Sequence, residues 1–211
     1  MDYPKINVLD TIKDAFQLAI KNVLPLILLV ILYVLTVWIP YLNVGTTIGL
    51  YKAVIAMSRG EVVDPVSIFD KDNFKYFGNM FLLMGIQSVG ITAATAFMFV
   101  PGLILSLAWG FAMYLLIDKN VSPLKSLTLS YDVTLGEKWR IFAINLLVGL
   151  LIGIVSGIFT LIPKVGFIFV AIVVVVGCAY SVAVNALMYK HFSEKADAML
   201  AETEAEPVAE A

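Results

Sequence analysis

Residues 22–51 read NVLPLILLVILYVLTVWIPYLNVGTTIGLY and contain no Asp, Glu, Lys or Arg. This run exceeds the roughly 20 residues that one α-helix needs to cross a bilayer. Pro40 stands inside it, at Ile39-Pro40-Tyr41. Proline lacks a backbone donor and disfavours helix in the residue before it, and Gly45 shortly after it favours a turn. The stretch therefore predicts two membrane helices joined by a tight tip.

The same reading extends along the chain. Further charge-free runs cover 76–117, 141–163 and 165–189. Val100-Pro101-Gly102 divides the first of these, and Ile162-Pro163-Lys164-Val165-Gly166 separates the last two. Six membrane helices are expected, at about 22–39, 44–58, 76–99, 102–118, 139–162 and 165–190. Those at 44–58 and 102–118 are short, since fifteen residues reach only roughly 22 Å against a hydrocarbon core of about 30 Å. Whether they span fully stays open at this point.

Composition agrees. Of 211 residues, 61% are hydrophobic and 14% charged, against about 25% charged in an ordinary soluble domain. Mean hydropathy is +0.94. There is too little polar surface to cover a water-soluble domain of this length. That excludes a cytosolic enzyme, a secreted domain and a disordered chain, and the expected fold class is an all-α transmembrane bundle. The charged, mixed N-terminus gives no sign of a cleaved secretory leader, and neither end carries a lipidation motif.

The prolines at 40, 101 and 163 are spaced by 61 and 62 residues, which points to an internal repeat. Helix starts precede each hairpin. Asn7, Asp64 and Ser122 are N-cap residue types, and Pro65 and Pro123 follow two of them at the first helical position. After Asn7, apolar residues recur at Leu9, Ile12, Phe16 and Ala19 or Ile20, and after Ser122 at Leu124, Leu127, Tyr131 and Val133 or Leu135. Both patterns are helical stripes. The copy after Asp64 is less regular. The expected units, about 7–58, 64–119 and 122–191, are each an amphipathic helix followed by a membrane hairpin. The amphipathic helices are expected to lie in the headgroup region and lead into the spans. Residues 194–211, with six acidic side chains against Lys195, read as a solvated, disordered tail.

Thirteen of the fourteen Lys and Arg residues fall on one side of this layout, and only Lys164 lies at a hairpin tip. The bias of Lys and Arg toward the cytoplasm then predicts cytoplasmic termini in the inner (cytoplasmic) membrane.

Mid-span chemistry is sparse. No Asp, Glu or Arg lies at mid-depth, so the usual pointer to an ion path or proton relay is missing. Lys52 and His191 lie near helix ends, where long polar side chains snorkel. Gln87, Ser88, Thr92 and Thr95 are polar residues on one expected helix, three of them at helical spacing. They read either as interhelical hydrogen-bonding groups or as the lining of a solute path, and the first is the commoner use. Gly149, Gly153 and Gly157 form GxxxGxxxG, and Gly45 and Gly49 form GxxxG. Small residues four apart let helices approach closely, within one chain or between copies. There is no phosphate loop or HExxH motif. With one His and one Cys in the chain, no catalytic, cofactor-binding or metal-binding residue set is expected. Ser130 and Lys138 lie too far apart on one helix to serve as a Ser–Lys pair.

The stretch 113–147 holds Leu115-Leu116-Ile117-Asp118, Ser122-Pro123-Leu124, Ser126, Ser130-Tyr131 and Thr134-Leu135-Gly136-Glu137-Lys138-Trp139, with Phe142 heading the next span. It resembles a widespread bacterial family of polytopic integral membrane proteins, related to the membrane domain fused to some glycerophosphodiester phosphodiesterases. The resemblance rests on Asp118, Ser130, Thr134, Gly136, Lys138 and Trp139, and it covers about thirty residues. It implies a polytopic inner-membrane protein and supplies no catalytic residues. The residues also read physically: Ser122-Pro123 starts a helix, Gly136 ends it, and Lys138, Trp139 and Arg140 anchor the next span.

The expected function is that of a non-enzymatic membrane protein organising lipid or a membrane partner, which could be a second copy of the chain. The alternative is a transporter or channel for a neutral or lipid-like solute. Nothing points to nucleic acid or to a cofactor.

Overall fold

Asn7 opens the first helix. Its side-chain oxygen accepts hydrogen bonds from the N–H groups of Leu9 and Asp10 at 3.1 and 3.4 Å, satisfying two of the donors that a helix start leaves unpaired. Helix α1 runs Val8–Lys21 and α2 runs Val23–Thr36. The two meet at an angle of 88°. Pro25 explains the bend: its missing N–H would have bonded the Lys21 carbonyl, and its ring would clash there, so α1 cannot run on. The computed structural model describes residues 4–162 and 166–205. Pro163, and with it the third expected hairpin tip, lies outside the described residues.

At the first tip the chain turns over Pro40, and Tyr41 takes a positive φ of 70°, an uncommon conformation for a side-chain-bearing residue. Its ring stacks on Phe74 with centroids 4.8 Å apart. Helix α3 follows, Leu42–Ser58. Asp64 caps the next segment by accepting from Val66 N–H at 3.0 Å. The expected amphipathic α-helix does not follow. Pro65–Phe69 and Lys71–Tyr76 are two 3₁₀ turns instead. Asp70 lies between them in extended conformation and caps Asp72 N–H at 3.0 Å. A second cap inside the segment restarts the helix and prevents one long stripe.

Helix α4 covers Phe77–Phe97, and Met98 is extended before α5, Phe99–Ala108. The break therefore precedes Pro101, which sits in the first turn of α5, where a missing N–H leaves nothing unpaired. A second break at Trp109–Phe111 separates α5 from α6, Ala112–Lys119. Ser122 caps α7, Pro123–Val133, by accepting from Lys125 N–H at 3.4 Å. Gly136, at φ 79°, turns the chain into α8, Lys138–Thr160. Helix α9 spans Gly166–Ala205 without interruption.

Among the described residues, four helical segments are long and apolar enough to cross a membrane: 71–97, 99–119, 138–160 and 166–202. The bent pair α1–α2 would make a fifth. The short 102–118 segment of the sequence reading is thus long enough, whereas α3 has only 17 residues and is mostly buried. It is wedged against the 3₁₀ turns and α9.

The core is gathered at one end. There α3, α6 and the second half of α9 bury Ile48, Leu115, Leu116, Tyr189 and Phe192. Helix α9 packs against α1, α2, α3, α7 and α8 and so joins most of the fold. By contrast α2, α4, α8 and the first half of α9 expose Leu24, Phe81, Leu82, Val89, Leu150, Ile154, Phe167 and Ile172. An apolar surface on this scale is stable against lipid, not water. The acidic segment also departs from expectation. Residues 194–205 continue α9, Ala196 is fully buried, and Lys195 Nζ donates to the Val133 carbonyl at 2.9 Å. A docked helix has replaced the expected disorder over these residues, while residues 206–211 lie outside the described ones.

Candidate functional site

The break between α5 and α6 leaves backbone groups without helical partners in an apolar setting, where each must find another. Three side chains supply them. Ser130 Oγ donates to the Ala108 carbonyl at 2.7 Å and accepts from Phe111 N–H at 3.3 Å. Thr134 Oγ1 bonds the Ser130 carbonyl at 2.8 Å and lies 3.4 Å from that of Ala108. Gln87 Nε2, from α4, donates to the Trp109 carbonyl at 2.8 Å. Gln87, Ser130 and Thr134 thus converge on the break, one from α4 and two from the α7 region.

The rest of the expected polar lining does not assemble. Ser88, Thr92 and Thr95 are all exposed; Thr95 abuts Gly102 of α5, and its Oγ1 turns back to the Ile91 carbonyl at 2.7 Å. The Thr95 hydroxyl is thus satisfied within its own helix, and with all three side chains exposed they enclose no path through the chain.

The two glycine motifs also part company. A Cβ on Gly45 would come within 2.6 Å of the Phe74 ring, and one on Gly49 would meet the Ile68 backbone. Both therefore serve close packing, against the 3₁₀ turns. Around Gly149, Gly153 and Gly157 an added Cβ meets nothing within 4 Å. That stripe packs against no part of its own chain among the described residues.

A charged node closes the buried end. Asp118, at the foot of α6, has a carboxylate only 2% exposed. It is paired with Arg59, accepts from the Tyr189 hydroxyl at 2.6 Å, and lies 3.2 Å from Lys119 Nζ. Lys119 also reaches Asp197 at 2.6 Å. The node ties α3, α6 and α9 together, which a lone carboxylate there could not do without a large desolvation cost. Lys138 lies over the Tyr131 ring at 4.0 Å, so it is turned away from Ser130, which is committed to the α5–α6 break.

Sequence reading missed Glu137. Its side chain is buried, accepts from the Ile6 backbone N–H at 2.7 Å and meets His191 Nε2 at 3.2 Å. His191 is thereby a structural partner rather than a free interfacial residue. The only sequence signal was a carboxylate between Gly136 and a membrane anchor.

The comparisons were negative. No family model, curated protein or solved structure matches this chain.

A lateral groove of about 1050 Å³ lies in the angle between α1 and α2, closed behind by α8 and α9. Its walls include Leu9, Ile12, Phe16, Ile20, Leu26, Ile152, Val155, Ile172 and Val176, with Asp10 and Lys13 at its edge. The stripe of α1 thus faces a space, and only Ala15 of that helix is fully buried. Tyr180 holds α1 over the groove by donating to the Ile12 carbonyl at 2.8 Å. Among the described residues no group of three or more His, Cys, Asp or Glu side chains could hold a metal ion.

Proposed function

We propose that the protein is a non-enzymatic component of the cytoplasmic membrane that holds and orders lipid, with acyl chains lodged in the groove between α1, α2, α8 and α9. The observation that carries this reading is the groove itself, about 1050 Å³ with almost wholly aliphatic and aromatic walls. It is large enough for more than one lipid chain and too apolar to hold water. The 88° bend that forms it sets α1 nearly at right angles to α2, as an interfacial helix leading into a span would be.

The membrane layout that goes with this reading has both termini cytoplasmic and three related units. Its support is the set of three side-chain caps, Asn7, Asp64 and Ser122, each opening a segment that leads toward a membrane hairpin. The gathering of Arg59, Lys119 and Lys195 around the buried end also supports it, because Lys and Arg are in excess on the cytoplasmic side. The resemblance of residues 113–147 to the polytopic bacterial family fits the same picture.

The test is lipid retention. The full chain, purified in a mild detergent and analysed by native mass spectrometry, is expected to carry bound phospholipid. Val176→Trp, which fills the groove, is expected to lose most of it while keeping its helical circular dichroism. Unchanged retention in this variant would remove the groove as the holder. A second reading, transport of a lipid-like solute, draws on the same groove being open at the side. It would take over if the chain moved a labelled lipid across proteoliposomes faster than protein-free vesicles do.

A further inference from the structure

Beside the groove lies a smaller cavity of about 340 Å³, lined by Lys5, Ile6, Asn7, Val8, Leu9 and Arg140. Leu9 lines both spaces, so they adjoin at that residue. We propose that Lys5 and Arg140 bind the phosphate of an anionic phospholipid whose acyl chains run past Leu9 into the groove. This rests on the lipid-holding reading above and adds the headgroup that the site selects.

Arg140 is the starting point. Its Nη1 is buried and has no hydrogen-bond partner, a costly state for a cationic donor. The nearest carboxylate in sequence, Glu137, stands one turn earlier, where an ion pair would ordinarily form. It is already engaged, with one oxygen on Ile6 N–H and the other on His191. Among the described residues no acidic side chain pairs with Arg140 or Lys5. Arg140 is half-buried as a residue, and this one nitrogen of its guanidinium is left without a partner beside an open cavity. The planar fork of the guanidinium matches a phosphate and can bond two oxygens at once. Lys5, exposed across the cavity, adds a second cation.

Depth distinguishes a lipid phosphate from a free anion. Arg140 lies in the first turn of α8, a membrane-crossing helix. Its neighbour Trp139 is 66% exposed, as the aromatic residues at the headgroup level are. A phosphate bound here has an apolar groove directly beside it, and a phospholipid fills both spaces with one molecule. Lys13 at the groove edge adds to the positive field, while Asp10 opposes it.

The experiment offers the full-length protein equal amounts of phosphatidylglycerol and phosphatidylcholine with identical chains, and counts bound lipid by native mass spectrometry. Wild type is expected to retain phosphatidylglycerol with roughly thirtyfold preference, the size that two interfacial cations supply. Arg140→Gln and Lys5→Glu should each weaken the preference, and the double variant should abolish it while still holding phosphatidylcholine. Lys5 is exposed, so its variant reports even if Arg140→Gln folds poorly. Equal retention of the two lipids by wild type, or an unchanged preference in the double variant, overturns the headgroup site and leaves the groove intact. Retention of neither lipid overturns the groove reading as well. Competition by millimolar inorganic phosphate that matches the lipid's effect, with lipid retention unselective, would make this a free-anion site and overturn the proposal.

Discussion

Glu137 accepts a hydrogen bond from the backbone N–H of Ile6 at 2.7 Å, joining positions 131 residues apart in the chain. The bond fixes the start of α1 against the start of α8, and His191 of α9 braces the same carboxylate. Three elements distant in sequence are thereby tied together at one carboxylate.

Replacing Glu137 with Ala should free residues 4–21 before it loosens anything else. The lost charge-assisted bond corresponds to about 1.5–3 kcal/mol. Amide hydrogen exchange in lipid nanodiscs should show α1 protection falling while α6 protection holds. Glu137→Gln keeps an acceptor for Ile6 N–H and should fall between wild type and Ala.

At the charged node the order of effects is set by burial. Asp118→Ala leaves Lys119 and the Tyr189 hydroxyl without their shared acceptor and is expected to cost about 3–5 kcal/mol. Arg59, 57% exposed, should cost no more than about 1 kcal/mol when changed to Ala. Denaturant unfolding in micelles distinguishes the two, and equal losses would contradict the assignment of Asp118 as the hub.

The glycines divide in a way that thermal unfolding can check. Gly45→Ala and Gly49→Ala should each destabilise by about 1–3 kcal/mol, because the Phe74 ring and the Ile68 backbone already occupy the space. Gly153→Ala meets nothing and should be neutral or stabilising by up to about 1 kcal/mol through helix propensity.

Gln87→Leu removes the donor to the Trp109 carbonyl and should lower stability by about 0.5–1.5 kcal/mol, the net worth of one hydrogen bond, because that carbonyl still accepts from Ala112 N–H at 3.1 Å. Thr92→Val should do almost nothing, since Thr92 is exposed. An identical loss in both would revive a shared polar path along α4.

Membrane sidedness is open to direct labelling. In a Cys178→Ala background, single cysteines at positions 43 and 193 should react from opposite sides of sealed vesicles. Reaction from the same side would refute the layout of cytoplasmic termini and outward tips.

Much of the fold was legible because a bilayer imposes a length and an apolarity that a sequence cannot hide. The caps at Asn7, Asp64 and Ser122 and the turn at Gly136 came directly from residue type. What escaped were features set by tertiary partners. Asp70 restarts a helix that the repeat pattern would have continued. The break at Trp109–Phe111 carries no proline, only Gly110, and its freed backbone groups are met by Gln87, Ser130 and Thr134 from elsewhere. The acidic segment reads as disordered by composition, yet Lys119 and the Val133 carbonyl, remote in sequence, dock it. The groove was invisible because the stripe of α1 looks the same whether it covers protein or an empty space.

Helix α9 has forty residues and no proline, so at 1.5 Å per residue it is about 60 Å long, roughly twice the hydrocarbon thickness. Its lower half leans on lipid, while its upper half is clamped through Tyr189, Lys195 and Asp197 to the rest of the protein. Such a rod acts as a lever. A thinner or thicker bilayer that tilts the embedded half by ten degrees would swing the far end by about 5 Å over that half-length. The ion pairs at that end would register, as strain, a change in membrane thickness that none of them touches.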